Sequence, residues 1–146
     1  MSEPIVPPNA PIIEAPPTGD VRSNGSLSEA LQGIAQLQEL DEDWDLDGAR
    51  PIDPQAMQLA SQVARSVAEL AEQEGANWQP PEIGPVPDGS VAVTWEGSHR
   101  DVLMVFRPGQ TASVECVTQE EGAGPIRQVV PEAEAVRLAL WALGDR

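Results

Sequence analysis

Lysine and tyrosine are absent from the 146 residues, and cysteine, histidine and phenylalanine occur once each. A single cysteine, Cys116, excludes an internal disulfide and any metal cage built from several thiolates. In an apolar, strand-like run it reads as a small buried hydrophobe. His99 has no serine or cysteine beside it to activate, and it sits in the turn-like "EGSHRD", where an exposed side chain is expected. No phosphate-cradling glycine loop and no metal-ligand cluster occur, so no cofactor is expected. No run approaches the roughly 20 apolar residues of a membrane span. The opening "MSEPIVPPNA" lacks the basic and apolar regions of a signal peptide, which predicts a cytoplasmic protein.

The basic residues that are present are all arginine, and alanine, proline and glycine are plentiful, a composition that suggests GC-rich coding in a bacterial or phage genome. The formal net charge of -16 and pI near 4.1 oppose direct contact with nucleic acid or an anionic membrane. They favour a basic protein partner.

Residues 1–25 are proline-rich and carry no helical or alternating period, which predicts an extended, polyproline-like or disordered arm. Ile5, Val6, Ile12 and Ile13 are unusual in a purely solvating tail and are the candidate anchors on a partner. From Ser26 the pattern becomes helical: Ser26 and Glu29 stand in capping-box relation, and Leu27, Leu31, Ile34 and Leu37 form one stripe. A second helix follows, with Ala56, Leu59, Ala60, Val63, Val67 and Leu70 on its apolar face. Asp53 is placed as its N-cap, Pro54 at its first position, Gly75 just past its end, and Ile52 and Met57 have the spacing of a hydrophobic staple.

Beyond residue 90 the period is two. Val91, Val93 and Trp95 point one way, "DVLMVFR" and "TASVECVT" continue in the same character, and "PDG", "EGSHR" and "PGQ" supply turns. A short leading strand around Ile83 and an edge strand "IRQVV" extend the meander. The tail from Pro131 reads as a last helix, with Val136, Leu140 and Trp141 on one stripe. The expected fold is a two-layer α+β domain over 26–146: two N-terminal helices, an antiparallel meander of three to five strands and a C-terminal helix, preceded by the Pro-rich arm.

The connector "DEDWDLDGARPID" has acids at alternate positions. Read as a calcium loop over 43–54, it offers Asp43, Asp45, Asp47 and Gly48 at the positions an EF-hand requires. It puts Pro54 where the bidentate glutamate belongs, so any such site is weak, and no metal is the primary expectation. Read as a turn between antiparallel helices, it has Gly48 for positive φ, Trp44 as an apolar plug and Pro51 and Ile52 setting the entry to the second helix. The acids are then a solvated rim.

Trp44, Asp45, Gly48, Ala49, Pro51 and Ile52, with Pro81, Ile83, Pro85, Asp88, Gly89, Val91, Val93 and Trp95 further on, follow a pattern W-D-x-x-G-A-x-P-I … P-x-I-x-P-x-x-D-G-x-I-x-L-x-W. The chain thereby resembles an uncharacterised family of small bacterial proteins over about residues 37–106. The resemblance implies a domain type and no established activity; it gives Trp44, Asp45, Gly48, Pro51, Asp88, Gly89 and Trp95 a structural part, to which the N-cap residue Asp53 adds its own.

Three functions are weighed. The first is a non-catalytic interaction module, docking on a larger bacterial or phage assembly or neutralising a toxin or effector; acidity speeds encounter with a basic partner. The second is a nucleic-acid mimic, which needs its acids aligned along one surface. The third is a carboxylate enzyme pairing Asp45 with Glu96 or Glu115, the weakest of the three because isolated acids in an acidic chain are normally surface charges.

Overall fold

The computed structural model describes residues 19–76, 78–110 and 112–144. Helix α1 spans Gly19–Gln36 and runs into a 3₁₀ turn over Leu37–Glu39; after the connector come α2 (Pro54–Glu74), strands β1 (Glu82–Pro85), β2 (Val91–Glu96), β3 (Arg100–Phe106), β4 (Ser113–Glu120) and β5 (Ile126–Pro131), and helix α3 (Glu132–Gly144). The protein is a mixed α+β domain; its described residues form three α-helices and one five-stranded antiparallel sheet.

The helix α1 begins seven residues before the expected start at Ser26. Ser26 is therefore an interior residue, not an N-cap. The last proline before the helix is Pro17, and beyond it every backbone N–H is free to join a helical ladder. The interior glycine Gly25 costs only about 1 kcal/mol against alanine. The rest of the predicted arm, with Ile5, Val6, Ile12 and Ile13, lies outside the described residues.

Helix α2 is bounded by its local chemistry. The Asp53 carboxylate accepts the Ala56 N–H at 3.2 Å, Pro54 opens the first turn where its missing donor costs nothing, and Gly75 closes the helix at φ 73°. Its face of Ala56, Leu59, Ala60, Val63, Ala64, Val67 and Ala71 is fully buried. So many alanines permit close approach to α1 and α3.

The strands pair in sequence order, all antiparallel, as short turns require. One face is the core: Val91, Val93 and Trp95 of β2, Val102, Met104 and Phe106 of β3, and Val114 and Cys116 of β4 are buried under the helices. The other face presents Ala92, Thr94, Leu103, Val105, Glu115 and Val117, all half-buried, and no described helix covers it. The register rows across β2 to β4, Thr94–Leu103–Val117 and Ala92–Val105–Glu115, align these side chains. No described helix is long and apolar enough to cross a membrane.

Candidate functional site

The connector folds around its own carboxylates. Asp45 Oδ1 accepts the N–H of Asp47 (2.8 Å) and of Ala49 (3.0 Å), Asp43 Oδ1 accepts the N–H of Gly48 (2.6 Å), and the Asp43 N–H donates to the Ala49 carbonyl (2.6 Å). Asp43 and Leu46 hold φ of 65° and 62°, and Gly48 85°. Positive φ in a leucine is strained, and the internal hydrogen bonds hold it in place. The expectation that these acids form only a solvated rim is thus corrected for Asp43 and Asp45, which shape the turn; Asp47 is exposed. Among the described residues no group of three or more His, Cys, Asp or Glu side chains is arranged to hold a metal ion. Trp44 is half-buried against the core and its indole N–H donates to the Arg50 carbonyl at 2.7 Å.

Two stretches of the quoted pattern meet here. The Arg50 N–H donates to Pro87 O (2.8 Å) and the Asp53 N–H to Gly89 O (2.9 Å), clipping the connector to the β1–β2 turn. Gly89, at φ 93°, lies where an added Cβ would come within 3.0 Å of the Pro51 carbonyl oxygen, so glycine is needed for both conformation and space. Asp88 accepts the Ser90 N–H at 2.9 Å and pairs with Arg107 at 2.7 Å. Burial pushes the Asp88 carboxyl up, but hydrogen bonds from Ser90 and the Arg107 guanidinium outweigh it and hold the group below its ordinary value. The Asp53 carboxylate also receives the Gly109 N–H at 3.4 Å. Trp95 lies apart, deep in the core, its ring centroid 6.5 Å from that of Trp78.

Truncating Asp45 is expected to loosen this junction. Asp45→Ala leaves two backbone donors without their acceptor and should lower stability by about 1–2 kcal/mol, whereas Asp45→Asn keeps a side-chain oxygen and should lose less than half of that. Urea titration followed by circular dichroism separates the two; equal losses would show that the oxygen has no role.

The carboxylates weighed for catalysis are not brought together. Asp45 is in the connector and Glu96 at the far end of β2. Glu115 stands on the uncovered sheet face, where its two oxygens take Arg107 (2.8 Å) and Arg127 (3.1 Å). Acids also collect at the turns beyond β2 and β4: Glu96, Asp101, Glu120 and Glu121 surround His99, whose Nδ1 is 2.8 Å from Glu121 Oε1. The connector lies beside the start of β2 and this group at its end, about 20 Å away at the usual strand rise.

Cys116 faces the core. Burial, reinforced by the negative charges of Glu134 and Glu115, pushes its thiol up to about 12. At pH 8 only on the order of one thiol in ten thousand would be ionised, and the thiolate is the reactive form. Ellman's reagent is expected to leave the native protein unmodified for hours and to titrate one thiol in denaturant; fast native reaction would contradict the burial.

Sequence reasoning missed the feature with the clearest means of contacting another molecule. Strand β5 is the last of the sheet, and among the described residues no strand pairs with its free side. Ile126 and Val129 on it are 61% and 63% exposed. They face opposite sides of the sheet, since Ile126 stands opposite the buried Thr118 and Val129 opposite Glu115. Alongside runs a groove of about 540 Å³ between the sheet and α3, lined by Thr118, Pro131, Ala133, Arg137, Leu138 and Trp141, with Glu134 on its wall. Of the stripe expected to bury together, Val136 and Leu140 are in the core but Trp141 is half-buried and lines this groove. Arg100 lies 5.1 Å above the Trp141 ring. The available signal was that α3 is apolar around most of its circumference, more than one buried stripe requires.

No family model, curated protein or solved structure matches the chain.

Proposed function

We propose that the protein is a non-catalytic interaction module, an acidic α+β domain that docks on another, basic protein. The setting is a larger bacterial or phage assembly, or the neutralisation of a toxin or effector. The observation that carries this reading is the apolar edge of β5 beside the α3 groove: large apolar side chains on an unpaired strand are normally guarded by charge, proline or a covering element. The net charge of -16 suits a basic partner through faster encounter and orientation. The connector and β-turn junction, with Trp44, Asp45, Gly48, Pro51, Asp53, Asp88 and Gly89, then serves as scaffold, in keeping with the family-like pattern that all of these but the N-cap Asp53 carry. Ile5, Val6, Ile12 and Ile13 are additional anchors in this account.

The docking module is preferred to nucleic-acid mimicry because it draws on a specific feature, the apolar β5 edge beside the α3 groove, whereas the described acids are spread over the connector, α2, the strand turns and α3. The test is affinity capture from the source cell, followed by reconstitution of the complex from purified components. A stoichiometric complex whose association slows with added salt is expected; failure to reconstitute one with any captured protein would sink the reading. Deleting residues 1–18, which leaves α1 whole, should weaken that complex, and unchanged affinity would remove the arm from the account.

A further inference from the structure

Resting on the docking reading, we infer that β5 and the α3 groove together receive an extended segment of the partner, which adds to the sheet as a sixth strand. Its chemistry is apolar residues at alternate positions with Lys or Arg beside them.

The edge supplies the first half of the site. Six residues of β5 at the usual strand rise offer about 20 Å of ladder, with N–H and C=O groups of every second residue directed away from β4. This edge is poorly guarded. Its one charged side chain, Arg127, is drawn onto the sheet by Glu115 at 3.1 Å, and its one proline, Pro131, comes at the end. The opposite edge is closed to such pairing by Pro80 and Pro81 just before β1 and Pro85 at its end. Strand addition is therefore favoured on the β5 side, where the edge is longer.

The groove supplies the second half. Alternate residues of an added strand point to opposite faces. Those on the helix side would pass over Ile126 into the space bounded by Leu138, Trp141 and Pro131, and those on the other side would cover Val129. This division of labour, ladder bonds for affinity and side-chain pockets for selectivity, is the general logic of strand addition. Charge decides the flanks. Arg137 on the groove wall is already engaged by Glu74 at 2.8 Å, and Arg127 by Glu115, whereas Glu134 has no ion pair among the described residues. Among the described residues lining the groove the unmatched charge is negative, as is the net charge of the chain.

The experiment selects random displayed dodecapeptides on the full-length protein and measures the winners by fluorescence anisotropy and amide hydrogen exchange. Expected are sequences with alternating apolar residues and at least one Lys or Arg, slowed exchange at residues 126–130 on binding, and a tenfold or greater loss of affinity on Leu138→Ser. Glu134→Gln, an exposed change with little effect on folding, should weaken binding about threefold at low salt and not at high salt, as expected for a screened charge pair. Three results would overturn the inference: no enrichment, peptides without alternation, or binding that leaves β5 exchange and the Leu138→Ser affinity unchanged. So would β5 amides in the unliganded chain as slow as those of β3, since the edge would then be filled by the protein itself. The two readings fail separately. A reconstituted partner complex indifferent to Leu138→Ser and to β5 exchange removes this site alone, and the lack of any stoichiometric partner removes the docking function.

Discussion

Gly97→Ala is expected to destabilise the protein by at least about 3 kcal/mol, on the scale of a severely overpacked core, and to lower Tm by roughly 10 °C. Gly97 follows β2 and its N–H donates to the Arg100 carbonyl at 2.8 Å, closing the β2–β3 hairpin. An added Cβ would overlap the Ala142 carbonyl oxygen and crowd the Arg100 carbonyl at 3.2 Å. Both obstacles are backbone, so neither can swing aside as a side chain would. Relief requires the hairpin or the last turn of α3 to move, and the two are otherwise tied together: the Arg100 guanidinium donates to the Trp141 carbonyl at 3.1 Å while lying over the Trp141 ring. That bond satisfies one of the carbonyls a helix leaves open at its C-terminus. Gly124→Ala is the control, since open space surrounds its Cβ position and its φ is not positive; it should change stability by less than about 0.5 kcal/mol. Equal melting temperatures for the two variants would contradict the close approach. Because the same contact fixes the groove wall at Trp141, Gly97→Ala should also weaken any ligand held there.

What was legible in the sequence follows from how local each signal is. Asp53, Pro54 and Gly75 mark α2 because caps act within one turn, and the structure keeps all three in those positions. The alternation of Val91, Val93 and Trp95 identified the core face of β2 because a half-buried strand writes its environment directly into every second residue. The start of α1 was misplaced because proline content ends at Pro17 while composition stays polar and glycine-bearing through Gly25; polarity says little about whether a helix continues. The acids of the connector were underrated because an aspartate accepting backbone N–H groups and one facing solvent are the same letter. The groove was illegible for another reason. Leu138 and Trp141 are as apolar as Val136 and Leu140, and only the position of α3 across the sheet decides which of them is covered. The chain Asp88–Arg107–Glu115–Arg127 joins residues from the β1–β2 turn to β5, and no spacing rule connects them.

Trp95 supplies the second large effect, and its two substitutions should part widely. Trp95 is 1% exposed, packs against Trp78 and lies on the buried face among Val93, Val102 and Met104. Trp95→Ala removes the largest fully buried side chain and leaves a cavity between α-helical and sheet layers that the closely packed alanines of α2 cannot fill, at a cost of about 3–5 kcal/mol. Trp95→Phe works against two opposing terms. The smaller ring leaves a void worth roughly 1–2 kcal/mol at the usual cost per unit of cavity volume. However, the Trp95 indole N–H has no hydrogen-bond partner among the described residues, and neither has that of Trp78. A buried donor left unpaired costs about 1–3 kcal/mol, which phenylalanine does not incur. The terms nearly cancel, so Trp95→Phe is expected to fall within about 1 kcal/mol of the parent while Trp95→Ala falls several below it. Guanidinium unfolding followed by far-ultraviolet circular dichroism distinguishes them without relying on the tryptophan that has been removed. If Trp95→Phe proves as damaging as Trp95→Ala, the indole N–H must have an acceptor, and the site is a hydrogen-bonded one and not simply a packed one.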